Sequence, residues 1–211
     1  MKGHRSTAEY EARGGAVVAE ATARPSGTGR GRIWDGAAVR DRVAAMAELD
    51  PGLQRFGSST HRYRLRPPLT EQEVDSFEQE FGVGLPESYR GFLTDVADGG
   101  AGPHHGLIGL AEDLDDEDAV YDLREEYRRP GFLATPFPYT RACPGPGKPG
   151  TSDYSVSGTL VIAEYGCGMF SRLVVTGKSA GQVWFDDSDW GGLSPGPDFH
   201  SWYSAWLESA G

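Results

Sequence analysis

Asp186, Asp187 and Asp189 gather where the strand-like run Gln182 to Asp186 ends. Such a cluster can hold Mg²⁺ with a phosphate substrate, because that ion takes one or two carboxylates and leaves its other positions to water and phosphate oxygens. A polar, solvated strand exit gives the same pattern. His104 and His105 are adjacent in a Gly-Pro turn, and sequence neighbours rarely ligate one metal together. One of them could join Cys143 or Cys167, though surface loop histidines are the simpler reading. His61 and His200 have no local partner. Gly145-x-Gly147-x-x-Gly150 reproduces the letters of a dinucleotide-binding turn, but Pro144, Pro146 and Pro149 deny it the helix whose free amides would face a pyrophosphate. Lys148 is followed by Pro149, so no phosphate loop forms there either. No His-Glu-x-x-His occurs, and the groups that an enzyme must bring together do not declare themselves. The expectation is a non-enzymatic chain without cofactor or metal.

Charge points elsewhere. The net charge is −11, yet residues 1–68 hold 12 Lys/Arg against 7 Asp/Glu and residues 69–211 hold 8 against 24. The second part is therefore strongly acidic, a surface that repels nucleic acid and acidic membranes and steers basic partners inward. Its densest acidic run is Glu112, Asp113, Asp115, Asp116, Glu117 and Asp118. It lacks the central Gly and terminal Glu of a calcium loop, which leaves contact with a basic partner, or simple solvation at a helix start, as its use. Two cysteines are too few for a disulfide scaffold, no stretch nears the roughly 20 apolar residues of a membrane helix, and a cytoplasmic protein is expected.

The elements that would position these groups are clearest between Leu69 and Gly100. Thr70 and Glu73 are spaced as a capping box, Leu69 and Val74 as a hydrophobic staple, and Val74, Phe77 and Phe81 form an apolar stripe that Gly82 ends. A second helix follows, with Pro86 suited to its first position and Tyr89, Phe92, Leu93 and Val96 at helical spacing. Asp98-Gly99-Gly100 stops it.

Upstream, residues 1–32 mix Gly, Ala, Ser, Thr and Arg without periodicity and read as a disordered tail, leaving 33–211 as a single domain. Val39, Val43, Met46 and Leu49 predict a helix that packs on that domain, with Ile33 and Trp34 just before it. Tyr63 and Leu65 alternate with Arg62, Arg64 and Arg66 as in a short edge strand, and with Arg55 these make a basic strip or a solvated face paired with the acidic body. Gly106 to Leu110 is a short apolar segment with strand character. Downstream, residues 130–158 are a Pro/Gly-rich connection. Three strands are predicted at Thr159 to Tyr165, Phe170 to Thr176 and Gln182 to Asp186, joined by turns short enough to make them antiparallel. Asp198 then caps a last helix carrying Phe199, Trp202, Tyr203, Trp206 and Leu207.

The helix pair resembles the SUKH superfamily through Phe81, Gly82, Leu85, Pro86, Tyr89, Phe92, Leu93, Asp98, Gly99 and Gly100. Gly181 to Asp186 is similar to that group's late glycine-led strand and Phe199 to Leu207 to its closing helix, so the likeness spans Leu53 to Glu208. The group more often has Asn where this chain has Asp98. It includes fungal Smi/Knr regulators of cell-wall synthesis, the bacterial Syd protein and many bacterial immunity proteins. The resemblance implies an α+β fold in which helices flank a twisted, mainly antiparallel sheet. It also implies a protein-binding role, most readily that of a bacterial immunity protein neutralising a basic toxin domain such as a nuclease. A cytosolic regulatory scaffold is the alternative, with a metal-dependent hydrolase behind it. Glu112 to Asp118 is the first expected contact surface; Asp186, Asp187 and Asp189 are the second.

Overall fold

The computed structural model describes residues 32–111, 125–146 and 154–209. Helix α1 (Gly36–Leu49) begins where the Asp35 carboxylate accepts the amides of Ala37 and Ala38, both at 3.1 Å. It buries Gly36, Val39, Val43 and Met46 along one stripe. After the short α2 (Ser58–His61), α3 (Glu71–Phe81) carries both halves of the capping box. Glu73 N–H donates to Thr70 Oγ1 at 3.2 Å, and Thr70 N–H donates to Glu73 Oε2 at 2.7 Å. Gly82, at φ 65°, ends that helix in the left-handed conformation that lacks a Cβ penalty. Helix α4 (Glu87–Asp95) starts one residue later than its proline suggests: Pro86 has extended backbone and is the cap itself. Arg90 ties the pair together, reaching Glu71 at 2.5 Å and Asp75 at 2.6 Å.

The sheet is a four-stranded antiparallel meander, β1 (Thr159–Gly166), β2 (Met169–Val174), β3 (Gln182–Asp187) and β4 (Gly192–Asp198), in sequence order. The three predicted strands are present, and β4 is additional. Its prolines, Pro195 and Pro197, cannot donate to a ladder and argue against a strand in sequence. An edge position tolerates them because one side of the strand needs no partner there. The expected edge strand at residues 62–66 reduces to one isolated bridge, Leu65 to Gly100, because Arg62 and Tyr63 both adopt positive φ, 49° and 55°, and break the extended chain. That bridge continues through Leu107 to Ala163, so this ribbon borders β1, and the strand character of residues 106–110 reduces to isolated bridges at Leu107.

Both faces of the sheet are covered. Leu160, Ile162, Leu173, Val175 and Val183 pack with the helices, and α5 (Phe199–Glu208) seats Phe199 and Tyr203 there with no exposed surface. On the other face Val174, Trp184 and Leu193 pack with Phe137 and Cys143 of the Pro/Gly-rich connection. That second face is covered by residues too irregular to show a period. Among the described residues no helix is long and apolar enough to cross a membrane.

Candidate functional site

The first expected contact surface, Glu112 to Asp118, lies outside the described residues, as does the tail over 1–31. Its near anchor is visible. Asp98 is 2 % exposed and its carboxylate accepts the amides of Leu110 at 2.6 Å and Ala111 at 3.1 Å, with Arg66 at 3.7 Å. Two amides and a cation suit a carboxylate with two acceptor oxygens better than an amide with one. Asp98→Asn is therefore expected to cost about 1–3 kcal/mol of stability, since one buried amide and the cation lose their acceptor. Urea midpoints of the two proteins test this, and equal midpoints would show the anchor to be dispensable.

The second surface divides into three fates. Asp186 is 3 % exposed and accepts from Arg172 Nε at 2.5 Å and from the Tyr154 hydroxyl. Burial and this neighbouring charge both push the Tyr154 hydroxyl pKa upward. Asp186 is thus enclosed, which its place in a run of surface-type residues hid. Asp187 accepts the amides of Trp190 at 3.2 Å and Gly191 at 3.0 Å, closing the β3–β4 turn, while Asp189 is exposed beside Trp190, itself 78 % exposed. No group of three His, Cys, Asp or Glu side chains among the described residues could hold a metal ion. No nucleophile elbow is expected from the sequence, yet Gly192-Leu193-Ser194-Pro195-Gly196 spells its Gly-x-Ser-x-Gly letters. Here it lies along β4, with Ser194 opposite Phe185 in the ladder, whereas an elbow requires a sharp strand-to-helix turn.

A different surface assembles from three separate stretches. Phe56 is 59 % exposed and meets His105 at 5.1 Å and Tyr165 at 5.0 Å between ring centroids. His104 stands edge-on to Tyr165 at 4.8 Å, and Tyr165 reaches Phe185 at 6.0 Å. Thr60 Oγ1 and His105 Nδ1 are hydrogen-bonded at 3.2 Å. The close approach depends on Gly57, at φ 78°, where a Cβ would lie 1.6 Å from the His104 carbonyl oxygen. Nothing periodic links positions 56, 104–105 and 165, so sequence patterns could not find this patch. Exposed, clustered aromatic rings are the residue type that dominates binding energy at protein interfaces.

Behind the patch lies a cavity of about 420 Å³, lined among others by Met46, Phe56, His61, Tyr63, His104 and Trp206. The Tyr63 amide donates to His61 Nδ1 at 3.0 Å, which places the imidazole proton on Nε2. Burial, with the neighbouring His105, holds the His61 pKa down to about 4, and the same causes lower that of His104. The unfolded chain takes up the His61 proton near 6.5, the fold only near 4, so this contribution is full above pH 6.5 and is lost as pH falls toward 4. The expected loss is on the order of 2 kcal/mol, below the full shift because water reaches the cavity. His61→Gln should flatten the stability curve in that window, measured by urea unfolding at stepped pH, and an unchanged slope would show that His61 titrates normally in the fold.

The family model for SMI1 / KNR4 family (SUKH-1) matches residues 68–204, from the residues before the capping box to the middle of α5. The chain belongs to this family. No curated protein and no solved structure matches it. The SUKH-1 match takes in His104, His105 and Tyr165 and leaves out α1, Phe56, His61 and Tyr63. One wall of the patch and much of the cavity are thus supplied by residues that precede the SUKH-1 region.

Proposed function

We propose that this SUKH-1 chain is a protein-binding module that serves as a bacterial immunity protein, binding one cognate toxin and occluding or distorting its active site. The carrying observation is the surface of exposed Phe56 and Tyr165 rings with half-buried His105 on a domain with 8 Lys/Arg against 24 Asp/Glu over residues 69–211. The rings supply contact area that sheds water on binding, and the net acidity of the domain raises the encounter rate with a basic toxin such as a nuclease. An inhibitor of that kind works by binding alone, and at the β3–β4 end Asp186 is spent on Arg172 and Asp187 on turn amides.

The test is co-purification of the tagged protein from its own cells at low and at high salt. One basic partner, retained at low salt and thinned at high salt, is the expected result. Several unrelated partners would favour a regulatory scaffold instead. With the partner in hand, the double variant Phe56→Ala/Tyr165→Ala should raise the dissociation rate about tenfold or more. Replacing the Glu112 to Asp118 acids by amides should slow association and flatten its salt dependence; an unchanged association rate would remove that run from the interface.

A further inference from the structure

The cavity behind the aromatic patch has chemistry of its own, opposite in sign to the acidic body. Its walls are apolar at Met46, Phe56 and Trp206. Two of its polar groups are donors. Arg55 lines it, and among the described residues no carboxylate lies within ion-pair distance of that guanidinium. His61 also lines it and is only 8 % exposed. Because His61 Nδ1 is occupied by the Tyr63 amide, Nε2 carries the proton, and that buried N–H has no acceptor among the described residues. The nearby Asp50 carboxylate does not satisfy either group. It accepts the Gln54 amide at 2.7 Å, the Arg55 amide at 3.2 Å and the Tyr63 hydroxyl at 2.8 Å.

A cation and a buried N–H, both without an acceptor among the described residues and set over an apolar floor, lack one complement, an anion on an apolar body. The volume of about 420 Å³ is in the range of small-ligand sites. We propose that this cavity binds a small carboxylic acid with an aromatic or branched apolar body, its carboxylate between Arg55 and His61 Nε2 and its body against Met46, Phe56 and Trp206. A cation is disfavoured by Arg55. A fully apolar ligand would leave the His61 proton and the guanidinium without acceptors in a partly dried site, a cost that the carboxylate removes. Arg55 belongs to the basic strip noted in the sequence, and the fold gives it a use distinct from its neighbours, since Arg62 and Arg64 are exposed. The site does not depend on the toxin-binding reading, since it needs only this chain.

The experiment is calorimetric titration of the full chain with phenylacetate, with benzyl alcohol as the uncharged analogue and acetate as the anion without an apolar body. Phenylacetate should bind at one site about tenfold or more tighter than either control. Arg55→Gln should weaken phenylacetate about tenfold without changing benzyl alcohol, and Arg62→Gln should change neither. The imidazole Nε2–H resonance of His61 should shift on adding phenylacetate to the wild type, a readout that requires no variant to fold. Equal binding of phenylacetate and benzyl alcohol, an Arg55→Gln protein that binds like wild type, or an unmoved His61 resonance at saturation would each overturn the proposal.

Discussion

Replacing Arg172 by methionine is expected to destabilise the fold by about 3–5 kcal/mol, the cost of leaving a buried carboxylate without its counter-charge. Arg172 is 5 % exposed and Asp186 3 % exposed, and they meet across β2 and β3 at 2.5 Å. A second carboxylate, Glu126, reaches the same guanidinium at 2.7 Å, and Thr159 Oγ1 lies at 3.4 Å. Burial alone would lower the pKa of the arginine, but the two carboxylates outweigh it and raise the value further, so the guanidinium remains charged. Removing it strands Asp186, whose remaining side-chain donor is Tyr154. Glu126 is less affected because its side chain is 22 % exposed and water can take over. The double variant Arg172→Met/Asp186→Leu should recover most of the loss, since a buried pair replaced as a unit by apolar side chains is often neutral. Urea unfolding of the two variants decides it. A loss below about 1 kcal/mol in the single variant would mean that water already reaches the pair. The same network holds Glu126 and Tyr154 against the sheet, so near-ultraviolet dichroism should change with stability.

Trp34→Ala should cost a similar amount, about 3–5 kcal/mol, as expected for a large buried aromatic reduced to a methyl group. Trp34 is 3 % exposed and meets Phe92 at 5.3 Å, Tyr203 at 5.8 Å and Phe199 at 6.2 Å, all edge to face. Its indole Nε1–H donates to the Ser88 carbonyl at 2.7 Å. One side chain thus fastens the residues before α1 to α4 and α5 at once. Phe at this position would keep much of the ring contact but leave Ser88 without its donor, so Trp34→Phe should lose about 1–2 kcal/mol. Thermal and urea melts of both variants are the check. If Trp34→Ala unfolds at the wild-type midpoint, α1 is an appendage and the fold proper begins at the SUKH-1 region. If it unfolds early, the residues before position 68 are part of the same cooperative unit.

Several features were legible from residue order alone because they are local. A capping box needs only Thr70 and Glu73 three apart, and Gly82 and Asp198 mark helix ends by their own backbone and side-chain chemistry. The α+β class followed from helical spacing in one stretch and alternation in another, and both periods act over fewer than about a dozen residues. Family membership rests on the same local signals, which is why Phe81 to Gly100 sufficed to suggest it. Strand β4 was hidden because two prolines mask a strand unless its edge position is known. Asp186 could not be told from Asp187 and Asp189 in sequence, since what separates them is Arg172 on the neighbouring strand, fourteen residues away. The Phe56, His104, His105 and Tyr165 patch and the Arg55 and His61 cavity were likewise beyond reach. They exist because left-handed turns at Gly57, Arg62 and His104 fold three distant stretches onto the end of one sheet. Residue order determined the elements and their caps; tertiary packing decided which charges are buried and which rings meet, because burial and contact depend on neighbours that the chain brings from afar.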